Sequence, residues 1–403
     1  MGGFKLESHF GWVDYASENK EKMINVMKLF EEKGTRDELG IGTIRDAFSN
    51  YFFPGTSTIQ TRARYFLFVP WIYKKIENEK FTYPEVATRA RENEIKLIYA
   101  LLKAEDENGL IGSDAKKDLK RLPSEIYWSG LYSWGIRMFN GSRSQYHRLL
   151  TSDYYDDDIE IYTEGHKKVW DPGLPDPPDN FLKKSSLALR RIDAEYLIDK
   201  ISVNHEGTLL FYLVNEEIQP NTRFFWELPI KSDLPKELNE NIKHAKNFTE
   251  TIHGAALFYN YLLAYKKEND DLINKYRNNL FDWIDDITMR WDELLNWYNN
   301  IEEFWNSKVI IEGNIKRPTR NFVEEWYSII FQGKNIKNII NNNAAKSLLK
   351  NREIRLKGKR ARLSNKKALE RWGGASGTSK LKYRWGTVKV IIQDILDGLK
   401  KGD

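Results

Sequence analysis

The chain has 403 residues, more than one hydrophobic core usually covers, so two or three domains are expected. It contains no cysteine, which excludes disulfides, thiolate metal sites, iron–sulfur clusters and cysteine nucleophiles. The net charge of +5 is uneven: residues 346–389 hold 15 Lys or Arg against Glu353 and Glu370, while the first 345 residues sum to −7.

The N-terminal residues Met1-Gly-Gly-Phe-Lys-Leu-Glu7 lack the basic and apolar regions of a secretory signal. No apolar run is long enough to span a bilayer, so a cytoplasmic protein with no membrane partner is expected. Residues 1–162 read as an N-terminal helical domain. Ser17 opens an amphipathic stretch with Met23, Val26, Met27 and Phe30 at helical spacing. Pro54-Gly55 ends the next segment. Ser57 and Gln60 form a capping box, which predicts a helix from there towards Ile76 with a kink at Pro70. Another helix is expected over 84–104. Ser142 and Gln145 form a second capping box, opening a short helix through Leu150.

Pro172, Pro175, Pro177 and Pro178 mark 163–184 as a linker or extended arm. Residues 185–345 read as a second helical domain. Helices are expected over 186–203 and 207–217. A hairpin of strands is the alternative over 209–230, where Phe, Tyr, Val and Trp are frequent. The strongest periodicity lies in 235–305. Leu280, Ile284, Ile287, Trp291, Leu294, Tyr298, Ile301 and Trp305 step by four and three, and Leu238 to Leu263 carry a similar stripe. The polar run Lys266 to Asp271 separates the two, which predicts two long antiparallel helices turning there. Two more helices are expected over 318–351. Residues 346–403 form the basic C-terminal segment. A short helix is expected through Trp372, and a last amphipathic helix from about Thr387. The expected fold class is mainly α: a multi-helix protein with one long hairpin and a small β element near 209–230 as the alternative.

Clustered Lys and Arg neutralise phosphates and release counterions, which supplies sequence-independent affinity for nucleic acid. The candidate contact residues are Lys357, Lys359, Arg360, Arg362, Arg371, Trp372, Lys380, Lys382, Arg384 and Trp385. The two tryptophans interleave with the cations, as base-stacking residues do. The alternative is a basic face packed on the acidic body or on a partner protein. Arg62 and Arg64, in the first turns after the Ser57 box, form a weaker candidate anion site; ion pairs to Asp37, Glu38 or Asp46 are the alternative reading. Residues 119–150 can be read as helix-turn-helix, with Arg143, His147 and Arg148 on the second helix. The loop Gly373-Gly-Ala-Ser-Gly-Thr-Ser379 is rich in backbone donors but lacks the Lys-Ser/Thr ending of a phosphate-binding loop. The six histidines show no zinc-ligand spacing, and Asp282, Asp285, Asp286, Asp292 and Glu293 surround a heptad helix without a partner histidine. No catalytic residue, metal ligand or cofactor is therefore assigned.

Several stretches are distinctive: Phe10-Gly-Trp-Val-Asp-Tyr15, Gly34-Thr-Arg-Asp-Glu-Leu-Gly40, Phe53-Pro-Gly-Thr-Ser-Thr-Ile-Gln-Thr-Arg-Ala-Arg-Tyr-Phe-Leu-Phe-Val-Pro-Trp71, Leu122-Pro-Ser-Glu-Ile-Tyr-Trp-Ser-Gly-Leu131, Gly141-Ser-Arg-Ser-Gln-Tyr-His147 and Ala368-Leu-Glu-Arg-Trp-Gly-Gly-Ala-Ser-Gly377. Together they resemble an uncharacterised bacterial family, catalogued as domain of unknown function 6361. The resemblance implies a component of antiphage defence, partnered with proteins such as a helicase or nuclease. It brings no assigned activity and no catalytic residues. The resulting expectation is a non-catalytic defence subunit contacting nucleic acid or partner proteins. A pure assembly scaffold and an enzyme with an unrecognised site are the alternatives.

Overall fold

The computed structural model describes residues 37–77, 79, 82–104, 108–151, 169–230, 234–333 and 336–401. The predicted Ser17 helix lies outside them. Among the described residues the regular structure is helical and no strand forms; Arg137 and Trp170 meet in an isolated bridge. No described helix is long and apolar enough to cross a membrane.

Helix α1, Gly42–Phe52, stops before Pro54-Gly55 as expected. Helix α2, Tyr65–Glu77, starts later than the Ser57 box predicts. The reason is tertiary. A helix begun at Ser57 needs the amides of 61–63 for its own ladder. Here Thr61 N and Arg62 N donate to the Tyr127 hydroxyl at 2.8 and 3.1 Å, and Ala63 N donates to Asp394 at 2.9 Å. Pro70 is accommodated inside α2. Helices α3 (Tyr83–Leu102), α4 (Pro123–Ser133) and α5 (Arg143–Leu149) follow. The second capping box is made: Ser142 Oγ accepts Gln145 N at 3.2 Å, and Ser142 N donates to Gln145 Oε1 at 2.8 Å.

Helices α6 (Arg191–Asn204) and α7 (Leu209–Asn215) occupy their two predicted positions. This corrects the β alternative for 209–230. Thr208 caps α7, accepting Phe211 N at 3.3 Å, and a 3-10 turn follows at Phe225–Glu227. Leu209, Leu210, Leu213, Val214 and Phe225 are all buried, so core packing accounts for the apolar composition that resembled strands.

Helix α8 spans Lys236–Lys266 and helix α9 spans Asp270–Met289. They turn at 267–269, where Asn269 caps α9 by accepting Leu272 N at 2.9 Å. Trp283 Nε1 donates back to Glu250 O at 2.8 Å and Arg290 pairs with Glu250, so the two arms run antiparallel as predicted. Gly254 makes the close approach: a Cβ there would lie 2.2 Å from the Trp283 ring. The second arm is not one helix, however. It breaks at Arg290 and Asn300 into α10 (Trp291–Asn299) and α11 (Ile301–Trp305). Heptad spacing continues across both breaks, because apolar spacing records which face is buried and not whether each backbone bond is made. Helices α12 (Lys308–Glu312), α13 (Arg317–Phe331), α14 (Asn343–Lys357), α15 (Lys366–Glu370) and α16 (Trp385–Leu399) follow among the described residues.

The described residues sort into two compact units. The larger holds 43–247, 301–315 and 382–401, with α2 packed on α3 and α4, and α16 on α6. The smaller holds 37–42, 248–300 and 316–381, with α13 packed on α14 and α10. This partition differs from the expected domains. The described part of 163–184 lies within the larger unit and is tied to its helices. Trp71 Nε1 donates to Pro175 O at 2.6 Å, and Asp171 pairs with Lys200 at 3.0 Å. The basic segment is not a separate tail either: it divides between the units after Leu381.

Candidate nucleic-acid interface

In the smaller unit, Asn342 caps α14 by accepting Ala345 N at 3.0 Å. Ala345, Leu349, Arg352 and Glu353 fall at steps of four, three and one, and form its buried side. The helix ends at Gly358, whose φ of +53° is disfavoured for other residues. A 3-10 turn, Gly358–Arg360, leads to buried Ala361 and then to α15. Asn365 caps α15, accepting Ala368 N at 3.1 Å, and its amide nitrogen donates to Lys359 O at 2.7 Å.

The turn rests on buried charge. Glu353 is fully buried and accepts four hydrogen bonds: the Tyr259 hydroxyl at 2.5 Å, Lys357 Nζ at 3.2 Å, Arg362 N at 2.9 Å and Leu363 N at 2.8 Å. Glu38 pairs with Lys357 and with Arg362 Nη1 at 3.1 Å. Burial raises the Glu38 carboxyl, but the bond and charge of Lys357, with Arg362, outweigh it and hold it below the usual range. Tyr259 is pushed far up by burial and then by Glu353. Arg352, also buried, donates to Leu39 O, Pro318 O and Gly40 O at 2.8, 2.8 and 3.0 Å. Two carboxylates facing Lys357 and Arg362 make a neutral, internally satisfied cluster.

The ten predicted contact residues separate by exposure. Lys359, Arg360, Arg371 and Lys382 are exposed. Lys357 and Arg362 are committed to Glu38 and Glu353, and Lys380 pairs with Asp286 at 3.0 Å. The two tryptophans are corrected outright as stacking residues. Trp372 is 2% exposed, with its ring near Tyr276, and its carbonyl accepts Lys267 Nζ at 2.9 Å. Trp385 is fully buried in the larger unit and donates to Thr222 O at 3.2 Å. Arg384, in that unit too, donates to Thr56 O at 2.7 Å. The sequence list also missed Lys350, Arg355, Lys366 and Lys367, all exposed. All four belong to the 15 Lys or Arg of 346–389, so the charge count is the signal that contains them.

The Arg62 and Arg64 site is corrected as well. Arg62 pairs with Asp394 at 2.8 Å and Arg64 with Asp193 at 3.2 Å, so both already face carboxylates, and neither partner is among those proposed from sequence. Two of the three residues named for the helix-turn-helix reading are likewise engaged, while Arg148 is exposed. His147 is buried against the Tyr73 hydroxyl at 2.8 Å, and Arg143 bonds Ser124 Oγ and Glu125 at 3.0 and 2.5 Å. The glycine-rich loop is bound to α8 and α9 rather than open to a phosphate. Ser376 N donates to Asn260 Oδ1 at 2.9 Å, Asn260 Nδ2 donates to Ser376 O at 2.7 Å, and the Tyr276 hydroxyl donates to Gly374 O at 2.5 Å. Among the described residues no three His, Asp or Glu gather as a metal site.

A profile described as a family of unknown function (DUF6361) matches residues 7–398. The chain belongs to this family. No curated protein and no solved structure matches it. Within this DUF6361 chain, four of the quoted motifs supply the larger unit's buried polar groups or the smaller unit's loop. Glu94, fully buried in the larger unit, accepts Ser124 N and Ser124 Oγ, each at 2.8 Å. Burial pushes the Glu94 carboxyl up to about 7, against the lowering pull of the Ser124 bonds and Arg143. Burial, then Arg143, pushes His147 down to about 4.

Glu94 makes stability depend on pH. Its folded value lies above its unfolded one, so its contribution is full below about pH 4.5 and is lost as pH rises through about 7, amounting to roughly 3 kcal/mol. His147 has the opposite sign, losing stability as pH falls from about 6.5 towards 4. Glu94→Gln cannot ionise, so the difference between variant and wild type isolates Glu94. In melts at pH 5 and pH 8, the variant gains on the wild type at the higher pH. A difference that is the same at both pH values would show that Glu94 titrates normally.

Proposed function

We propose that the protein is a non-catalytic binding subunit of a bacterial antiphage system, holding the phosphate backbone of duplex nucleic acid through the exposed cations around α15. The observation that carries this is the surface of 355–371. Arg355, Lys359, Arg360, Lys366, Lys367 and Arg371 are exposed and have no ion-pair partner among the described residues. Glu353 is turned inward, so Glu370 is the exposed acid of that stretch. Cations spread over a surface neutralise phosphates without reading sequence. The three aromatic residues of 343–401, Trp372, Tyr383 and Trp385, are all buried, which leaves no ring in that segment for an unpaired base. Duplex backbone is therefore favoured over single strands.

Mobility shifts of a duplex at two salt concentrations test this. With Lys359, Arg360, Lys366 and Lys367 each changed to Gln, the slope of log affinity against log salt should fall by about 3.6, at about 0.9 for each phosphate lost. The wild type should prefer duplex to single strand. Absence of any shift at low salt would overturn the nucleic-acid reading and favour docking on an acidic protein surface. Pull-down from a native host, with and without nuclease, tests the defence partnership.

A further inference from the structure

We infer that Glu353 is the positioning residue of the phosphate-binding turn, holding Lys359 and Arg360 outward from beneath; this rests on the reading above. Beyond its 3-10 step the turn keeps backbone bonds from Ser364 N and Asn365 N to Ala361 O, but the amides of Arg362 and Leu363 between them go to a side chain. Glu353 receives the two amides that follow Ala361, one on each carboxylate oxygen: Arg362 N on Oε1 and Leu363 N on Oε2. Those two bonds bend the chain back towards α14. The same carboxylate takes Lys357 Nζ from the turn's other end. Glu353 therefore ties both ends and alone takes the two backbone amides, Glu38 meeting only the Lys357 and Arg362 side chains, while Asn365 holds Lys359 O between them. Glu353 is fully buried and Lys359 and Arg360 are exposed, so the acid acts on a polyanion only through the cations it positions.

Glu353→Gln replaces one acceptor oxygen with a donor, which then confronts an amide N–H. Tyr259→Phe is the control: it removes the hydroxyl that donates to Glu353 but leaves both turn amides their acceptors. Two readouts are taken on the full chain. One is the salt slope of duplex binding; the other is the rate of tryptic cleavage after Lys359 and Arg360 in the folded protein. The Gln variant should lose about 1.8 of slope, for two phosphates at about 0.9 each. Its turn should be cut roughly ten-fold faster, as expected for one lost buried hydrogen bond. Tyr259→Phe should keep the wild-type slope even where its melting temperature falls. A Gln variant with the wild-type slope overturns the positioning role and leaves the binding reading standing. Equal loss in both variants overturns it too, since that is general loss of structure. A wild type that shifts no duplex overturns the binding reading and the positioning role with it. Glu353→Asp keeps the charge but falls one methylene short of the amides; where the Gln variant does not fold, it serves in its place with the same outcomes.

Discussion

Replacing Asp193 with Ala is expected to destabilise the protein by roughly 3–5 kcal/mol, because it strands a buried cation. Asp193 is fully buried. It accepts Arg64 Nη2 at 3.2 Å, Arg190 Nη2 at 2.6 Å, and the Arg190 amide and Nε each at 3.0 Å. Arg64 is 5% exposed, its guanidinium near the Phe68 and Trp71 rings and donating to Ser186 O and Ala188 O. Burial pushes Arg64 below the usual arginine range, and the Asp193 charge opposes this. Without Asp193, the guanidinium keeps neutral acceptors but loses its counter-charge. Against a total stability of about 5–15 kcal/mol, that loss is severe. Denaturant unfolding of Asp193→Ala measures it. A second change, Arg64→Met, should recover part of the loss, since an apolar side chain needs no counter-charge. A loss under about 1 kcal/mol, or no recovery in the double variant, would show that water reaches the pair.

Trp283→Ala is expected to cost a similar roughly 3–5 kcal/mol, the usual range for deleting a buried large ring. Trp283 is 2% exposed, lies over Gly254, approaches Trp326 at 6.2 Å and donates to Glu250 O. Truncation opens a cavity and leaves the Glu250 carbonyl without that donor. Trp291, on the predicted heptad stripe, makes the comparison. It is only half-buried, with Phe331 beside it at 5.5 Å, so Trp291→Ala should cost distinctly less. Equal losses at the two positions would mean that the exposed part of Trp291 is covered in solution.

The periodic elements were legible from sequence because each depends on local rules. The α8–α9 turn followed from a polar run between two apolar stripes, and Asn269 supplies the cap such a turn needs. The α5 start followed from a reciprocal Ser142–Gln145 box that is complete within four residues. The Ser57 box has the same composition yet opens no helix. Its amides are taken by Tyr127 and Asp394, far away in the chain, and no local pattern carries that information.

The candidate site divides in the same way. The excess charge of 346–389 and the membership of the DUF6361 family were both present in the sequence alone. Which cations reach solvent was not. Lys357 and Arg362 are claimed by Glu38, more than 300 residues earlier in the chain, and Trp372 and Trp385 pack inward. Net charge is a sum over residues and survives any fold. Exposure and pairing depend on which distant groups folding brings within a few ångströms, so the tertiary structure alone decided that Lys359, Arg360, Lys366 and Lys367 face outward while Arg62, Arg64 and Arg352 are each bound to partners within their own unit.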